Sequence, residues 1–277
     1  MTDAVSETHW LDAAFHWHAY GPPLRPSAVD IDTMEDIVRR WHRGSRARTP
    51  RALLLGVTPE IAAMAWPDGT ELAAVDRSPT MLRHVWPGDV AGRRTSTCAD
   101  WFEFDCGERA HDVVIGDGHF ALLRFADQYR ELARKIAASL TDDGLFVARL
   151  FLQPDTRESP AAVLRDLDEG RIGSIHTFKF RLAMALQEDA ECGVRIGDVY
   201  DAWLGARVDP AALAARTGWT RGAIDTLRLY EGRDTRLSFP RRDEMAAAMA
   251  DSFVAVAQTQ ADYEMGDRCP IVTYRRR

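Results

Sequence analysis

Four short apolar runs mark the middle of the chain, and each is followed by a segment of helical pattern. The runs are RALLLGV from residue 51, ELAAVD from residue 71, HDVVIGDG from residue 111 and GLFVARLFL from residue 144. Their apolar residues do not alternate with polar ones, which is typical of strands covered on both faces. Helices are predicted between them at 59–65, 78–86 and 125–140. Strands that alternate with helices indicate an α/β fold with a doubly wound, mostly parallel sheet.

The flanking segments have other patterns. Residues 1–48 are predicted to form an N-terminal arm and a helix, and the helix reads DIDTMEDIVRRWHRG with Asp32 or Thr33 as its cap. Residues 153–250 carry several helical patterns and are predicted to form a cap inserted after the core of residues 49–152. FVAVAQ and PIVTYRRR, within residues 251–277, are predicted to be closing strands of the core sheet.

Composition and charge narrow the function classes. A chain of 277 residues, 46% of them hydrophobic, can bury a sizeable core. The net charge of −7 argues against nucleic acid as a partner. The four cysteines show neither metal-ligand nor disulfide spacing. The polar, acidic start does not fit a signal peptide and no run is long enough for a membrane span, so we expect a cytoplasmic protein without a membrane partner.

Two residues at the ends of the first two predicted strands suggest nucleotide chemistry. Gly56 ends the first strand and Asp76 ends the second, twenty residues later. A glycine there permits a tight turn and close approach of a ligand, and an acid at that spacing hydrogen-bonds a ribose in nucleotide-binding folds. The alternative interpretation is a turn glycine and a helix-capping aspartate.

At these positions the chain resembles the class I S-adenosylmethionine-dependent methyltransferases, over roughly residues 50–152. The matching segments, in order, are LLLGVTPE, AAVDRSPTML, CADWFEF, HDVVIGDGHF and LTDDGLFVARLF. Uncharacterised bacterial members also look like this chain in LGVTPEIA, VDRSPTML, VWPG and the YGPPLRPS arm. The resemblance implies a seven-stranded Rossmann-like methyltransferase fold and S-adenosyl-L-methionine as the cofactor.

The resemblance also implies roles for individual residues. Gly56 would approach the methionine part, Asp76 the ribose hydroxyls and Asp100 the adenine amino group. Val57, Thr58 and Arg77, which neighbour Gly56 and Asp76, are further candidate cofactor-binding residues. Met81 and Trp101 would wall the adenine, and Gly116, Asp117 and Gly118 would lie beside the sulfonium. Tyr20 and Arg25, which flank prolines in the arm, are grouped with the cofactor-binding residues because arginine can bind a ligand carboxylate with two hydrogen bonds. Thr58 and Glu60 stand where the family often has further glycines.

Catalysis by methyl transfer needs mainly alignment, and a base only when the acceptor is protonated. His119 is the candidate base and Asp117 the candidate neighbour of the sulfonium, because both follow the predicted strand that borders the reacting methyl group. The histidines lack the spacing of a helical metal pair, and no metal requirement is expected.

The predicted cap would select a small-molecule methyl acceptor. Arg149, His176, Lys179 and Arg181 are the candidate acceptor-binding residues, beside apolar Phe178, Phe180 and Met184. This mixture predicts a small, partly apolar acceptor with an anionic group. Monomer and homodimer both remain open.

Three other functions are compatible with parts of the sequence. An NAD(P)-dependent Rossmann oxidoreductase would share the sheet, although the chain lacks G-x-G-x-x-G. LAARTGWTRGAIDTLRLYEG can be interpreted as a DNA-binding helix-turn-helix. A non-catalytic, regulatory protein that binds S-adenosylmethionine is the third alternative.

Overall fold

A computed structural model describes residues 4–45 and 49–277 of the chain. The predicted N-terminal arm of residues 1–48 is therefore described except for residues 1–3 and 46–48, which lie outside the described residues. The side chains of residues 4–9 are also outside this description.

A seven-stranded sheet forms the centre of the molecule. Its strands are β1 Arg51–Leu55, β2 Glu71–Asp76, β3 Arg94–Cys98, β4 His111–Asp117, β5 Leu140–Arg149, β8 Phe253–Thr259 and β9 Ile271–Arg276. The strand order is β3-β2-β1-β4-β5-β9-β8. The first five strands are parallel, β9 is antiparallel to β5, and β8 is antiparallel to β9. The prediction of a doubly wound, mostly parallel seven-stranded sheet is confirmed.

Helices connect the strands and form the cap. They are α1 Ala4–Phe15, α2 Ala28–Gly44, α3 Pro59–Ala63, α4 Pro79–His84, α5 Asp127–Ser139, α6 Pro160–Asp168, α7 Ile175–Leu186, α8 Ile196–Gly205, α9 Pro210–Thr217, α10 Arg221–Asp225 and α11 Arg242–Met249. Short strands β6 Val194–Arg195 and β7 Arg236–Leu237 pair with each other among them.

Helix α2 begins before the predicted cap at Asp32 or Thr33, and that prediction is wrong. Ser27 is the N-cap, because its hydroxyl accepts from the backbone N–H of Asp30 while the Asp30 carboxylate accepts from the backbone N–H of Ser27. This reciprocal capping box satisfies two backbone donors at the start of the helix.

Alternate residues of the central strands supply two hydrophobic cores. Leu53 and Leu55 belong to the core that contains α5, whereas Ala52 and Leu54 belong to the core that contains α2 and α3. Both faces of the sheet are therefore covered, which explains the continuous apolar runs in the sequence.

The cap has a third hydrophobic core of its own. It contains Phe178 and Met184 of α7, Trp203 of α8 and Leu213 of α9. Helix α11 differs, because Met245 and Met249 pack in the core beside α5. The end of the segment 153–250 thus lies against the sheet, while α6 to α10 form the cap.

Within the described ranges 4–45 and 49–277, none of the helices combines the length and the apolar character that crossing a membrane would require.

Candidate functional site

A cavity of about 260 Å³ opens at the carboxyl ends of the parallel strands. Strand-end residues, the N-terminal arm and the cap all contribute to its wall. The wall comprises Trp10, Ala13, Trp17, Tyr20, Leu24, Arg25, Leu55, Gly56, Val57, Thr58, Asp76, Arg77, Met81, Asp100, Trp101, Phe102, Asp117, Gly118, His119, Ala121, Leu122, Leu123, Gln128, Phe151, Phe180, Ile196, Tyr230 and Leu237. Ligands of open α/β sheets bind at this edge.

The turn after β1 brings backbone to the cavity wall. Gly56 has φ +92°, and its N–H donates to the carbonyl of Val75 at 2.8 Å. A side chain at Gly56 would be strained in this left-handed conformation and would face Asp76, whose Oδ2 would lie 3.9 Å from an added Cβ. Val57 and Thr58 continue the wall into α3. The turn therefore brings the backbone at Gly56 close to the Asp76 carboxylate.

Asp76 ends β2 and is held by its own loop. Its Oδ1 accepts from the backbone N–H of Ser78 at 2.8 Å, which fixes the carboxylate at the start of α4. Arg77 lines the cavity beside it, and buried Met81 of α4 adds an apolar surface. A fixed carboxylate beside an apolar surface suits a polar sugar joined to a flat base.

Asp100 and Trp101 follow β3 and are fixed in a similar way. The Asp100 Oδ1 accepts from the backbone N–H of Phe102 at 2.8 Å, and the Trp101 indole donates to the carbonyl of Val75 at 2.9 Å. Both side chains are partly exposed to the cavity. Asp100 and Trp101, which were predicted to contact adenine, therefore lie on the same cavity wall as Gly56 and Asp76.

Asp117, at the end of β4, forms a buried ion pair with Arg149 of β5. The two residues are register partners in the sheet, and Arg149 Nε lies 2.5 Å from Asp117 Oδ1. Burial raises the pKa of the Asp117 carboxyl, and the Arg149 guanidinium opposes that rise. Arg149 also donates to the Pro23 carbonyl at 3.0 Å and to the Tyr263 hydroxyl at 3.2 Å, and its Nη1 lies 3.9 Å from Asp30 Oδ2. Arg149 thereby connects the carboxyl ends of β4 and β5 to the arm.

His119 lines the cavity but is buried among aromatic rings. Its ring lies edge-on to Trp101, with centroids 5.9 Å apart, and contacts Phe120 and Phe146. Burial lowers the pKa of His119 to about 3, so the imidazole is neutral at physiological pH. Neither ring nitrogen has a hydrogen-bond partner among the described residues. A neutral, unprotonated imidazole with so low a pKa is a weak base.

The glycines around Asp117 make room for rings. Gly118 has φ +61°, and a Cβ there would overlap the Phe151 ring. Gly116 does not line the cavity, and a Cβ on it would overlap the His119 ring. These two glycines allow the aromatic side chains to approach the end of β4.

The arm places both of its predicted residues, Tyr20 and Arg25, in the cavity wall. Arg25 pairs with Glu60 of α3, with Nη2 and Oε1 2.5 Å apart, and donates to the Trp17 carbonyl at 2.9 Å. Its guanidinium also lies over the Trp17 ring, 5.2 Å from the centroid. The Glu60 carboxylate thus joins the start of α3 to the arm.

Five aromatic residues from three segments form what we call the aromatic wall: Trp17, Tyr20, Phe151, Phe180 and Tyr230. Tyr20 and Phe180 were among the candidate residues named from the sequence, whereas Trp17 was not. Phe151 and Tyr230 carried no signal of their own in the sequence. Their positions depend on how the cap folds over the sheet.

The four predicted acceptor-binding residues do not line the cavity. Arg149 pairs with Asp117, and Arg181 forms ion pairs with Glu158 and Asp166. His176 packs against the Tyr20 ring at 5.9 Å, and burial lowers its pKa to about 4. Lys179 is buried behind two tyrosines and donates to Thr226 Oγ1 at 2.5 Å. These four side chains, which were predicted to contact the acceptor, therefore form no part of the cavity wall.

Two further features concern the alternatives. The proposed helix-turn-helix corresponds to α9 and α10, and α10 has only five residues, Arg221–Asp225. Such a helix is too short to follow a major groove in the way that recognition helices do. In the part of the chain that the structure describes, no three His, Cys, Asp or Glu side chains are grouped so that they could hold a metal ion.

Comparison with known proteins gives structural likenesses alone. The chain matches no protein-family model and no curated protein. A Rhodobacter sphaeroides protein named as a Zn-dependent alcohol dehydrogenase is 14% identical, with a TM-score of 0.61 and 100% of both chains covered. Burkholderia thailandensis 1,6-didemethyltoxoflavin-N1-methyltransferase, solved with 1,6-didemethyltoxoflavin and S-adenosylhomocysteine, is 14% identical, with a TM-score of 0.53 over 99% of this chain and 88% of that one.

The PH0226 protein from Pyrococcus horikoshii OT3 is 10% identical, with a TM-score of 0.50 over 94% of this chain and 98% of that one.

The dinucleotide-binding Rossmann sheet has the strand order 3-2-1-4-5-6. Here the antiparallel strand β9 stands between β5 and β8 instead. The chain has the Rossmann-like fold of the class I S-adenosylmethionine-dependent methyltransferases.

Proposed function

We propose that this protein is a methyltransferase that binds S-adenosyl-L-methionine and transfers its methyl group to a small molecule. The proposal rests on the part of the cavity wall that lies at the carboxyl ends of the parallel strands. There the left-handed turn at Gly56 faces the Asp76 carboxylate, and Asp100 and Trp101 stand on the same wall. These groups fit the cofactor, because they offer an acceptor for ribose hydroxyls, an acceptor for an amino group and an apolar surface for a base.

The cofactor supplies an activated methyl group on a sulfonium. The chain's own residues would bind and orient it: Asp76 at the ribose, Asp100 with Met81 and Trp101 at the adenine, and the backbone turn at Gly56 along the methionine part. Asp117, which Arg149 holds at the end of β4, would place negative charge beside the sulfonium. Positioning of two reactants can contribute about 7–11 kcal/mol to catalysis, so alignment carries most of the rate.

A proton on the acceptor atom would pass to solvent water as the acceptor is methylated. His119 is neutral and lies in the wall, and it can accept a hydrogen bond from an acceptor O–H or N–H. Its low pKa argues against His119 as a strong base. We therefore assign it to orientation of the acceptor, and Asp117 to the sulfonium.

The oxidoreductase alternative is favoured by one observation, the name of the Rhodobacter sphaeroides protein that shares the fold. Calorimetric titration with S-adenosylmethionine, S-adenosylhomocysteine, NAD and NADP distinguishes the two functions. Binding of the first two alone supports the methyltransferase, and binding of a dinucleotide alone contradicts it. Production of S-adenosylhomocysteine with a pool of small-molecule acceptors would separate an enzyme from a protein that only binds the cofactor.

A further inference from the structure

The aromatic wall takes its rings from three separate segments of the chain. Its rings come from the arm, from the residue after Leu150 and from the cap, and they contact one another at angles typical of aromatic pairs. Phe151 and Phe180 are T-shaped, with centroids 4.7 Å apart, and Trp17 and Tyr20 are edge-on at 6.2 Å. Offset and edge-to-face contacts with rings favour a ligand that is itself aromatic.

The arginines around this wall already have carboxylate partners. Arg25 pairs with Glu60 and Arg149 with Asp117. Arg181 pairs with Glu158, which Arg268 also contacts at 2.7 Å. An anionic ligand would therefore have to break an existing ion pair to gain a guanidinium. A buried anion without a counter-charge is costly.

Lys179 is the one cation near the wall for which the described residues provide no ion pair. Its ammonium lies 5.3 Å from the ring centroid of Tyr20 and 4.8 Å from that of Tyr230, so it is held between two ring faces. Both tyrosines line the cavity and Lys179 does not. A ligand anion would have to displace a tyrosine ring to reach the ammonium.

Two residues of the cavity lining, of which one belongs to the aromatic wall, carry buried polar atoms that have no partner among the described residues. These are the indole Nε1 of Trp17 and the ring nitrogens of His119. An unpaired buried donor costs free energy, and a ligand atom that accepts its hydrogen bond removes that cost. The Trp17 N–H can only donate, so its partner must be an oxygen or nitrogen with a lone pair.

Resting on the proposed function, we propose that the methyl acceptor is an uncharged, flat aromatic molecule that packs against the aromatic wall and accepts a hydrogen bond from the Trp17 indole. This replaces the anionic acceptor that the sequence predicted. The charges that suggested an anion are engaged by Asp117, Glu158, Asp166 and the two tyrosine rings.

Three probes of nearly equal size test charge and flatness separately. They are naphthalene-2-carboxamide, naphthalene-2-carboxylate and decahydronaphthalene-2-carboxamide, titrated calorimetrically into protein saturated with S-adenosylhomocysteine. We expect the flat amide to bind, the carboxylate to bind at least about tenfold more weakly, and the saturated amide about two- to tenfold more weakly.

The Trp17 hydrogen bond is tested with W17F, which keeps a ring and removes the donor. We expect W17F to weaken naphthalene-2-carboxamide about two- to tenfold and to change the binding of plain naphthalene less. W219F is the matched control, because Trp219 does not line the cavity and its indole donates to the Gly173 carbonyl. Equal losses for both probes in W17F would contradict the hydrogen bond.

Tighter binding of the carboxylate than of the amide would overturn the proposal, and loss of that preference in K179M would identify the acceptor as an anion. Equal binding of all three probes, or of none, would also overturn it. The titration of S-adenosylhomocysteine alone scores the proposed function separately. Repeating the probe series without it scores the acceptor class even if that cofactor product does not bind.

Discussion

The two parts of the cavity wall are built by different kinds of contact. At the ends of β2 and β3, two carboxylates are fixed by backbone N–H groups two residues away, Asp76 by Ser78 and Asp100 by Phe102. In the aromatic wall, the contacts join distant segments, as Tyr20 meets Lys179. The first part is prepared by local turns, whereas the second exists only when arm, sheet and cap are all assembled.

This difference separates two kinds of mutational effect. A change at a strand end should alter cofactor binding with little effect on folding, because the local turn persists. A change among the long-range contacts should alter stability first. Arg149 belongs to both parts, since it pairs with Asp117 of the sheet and donates to Pro23 of the arm.

Arg149→Met should therefore give the largest loss. The substitution leaves the buried carboxylates of Asp117 and Asp30 without this cation, and breaking a buried ion pair costs about 3–5 kcal/mol. Urea unfolding measures the change in the free energy of unfolding. Arg39→Met is the control, because Arg39 and Asp36 form an exposed pair and the expected loss is about 0–1 kcal/mol. Equal losses in the two variants would contradict the link between the sheet edge and the arm.

Asp76→Asn tests the strand-end part alone. We expect S-adenosylmethionine to bind about ten- to a hundredfold more weakly, because charge-assisted hydrogen bonds are worth about 1.5–3 kcal/mol each. Calorimetry measures the affinity, and urea unfolding checks that the fold is retained. Asp68→Asn, at an exposed position, is the control. An unchanged affinity in Asp76→Asn would remove the ribose assignment.

Lys179 makes the stability of the long-range part depend on pH. Burial lowers its pKa from 10.5 to about 7 in the folded protein. Between these values the unfolded chain binds more protons, so the contribution of Lys179 to stability rises with pH. From pH 7 to 9 the rise should be about 2 kcal/mol. This window lies below the ordinary pKa of tyrosine, so Tyr20 and Tyr230 do not titrate in it.

The measurement compares the parent with Lys179→Met by urea unfolding at each pH. The stability difference between the two proteins should shift in favour of the parent as the pH rises. A difference that stays constant from pH 7 to 9 would mean that the ammonium is not held in a poorly solvated site.

Arg181→Met should have the smallest effect. Its partner Glu158 keeps a second cation, Arg268, and partly exposed pairs contribute roughly 0–1 kcal/mol. Cofactor affinity should stay within about twofold, a difference of less than 0.5 kcal/mol. A much larger loss of cofactor affinity would show that the cap ion pairs shape the strand-end part as well.

The same contrast explains what could be predicted from the sequence. Six of the seven sheet strands, with Gly56 and Asp76, follow from short patterns, because apolar runs and turn residues act over a few positions. Strand β3 is polar and largely exposed, and no apolar run predicted it. The start of α2 was missed by several residues, since Ser27 and Asp30 form the capping box before the expected cap. That box was readable in principle, as a serine followed three residues later by an acidic residue.

The aromatic wall and the charged residues around it, where we place the acceptor, could not be predicted in the same way. Arg149 is positively charged and lies within the predicted strand GLFVARLFL, and its charge made it a candidate for an anionic ligand. Its actual partner, Asp117, is on the neighbouring strand 32 residues earlier, and only the sheet register brings the two together. A pattern in one segment does not show which side chains of another segment will neutralise its charges.

The arm can complete its hydrogen bonds only after much later segments of the chain have been synthesised. Pro23 finds its donor, Arg149, 126 residues later in the chain, and Asp12 pairs with Arg233, 221 residues later. A ribosome adds about 5–20 residues each second, so the arm waits about ten seconds or more for its last partner. The arm is thus made early, yet it docks only after most of the chain has been translated.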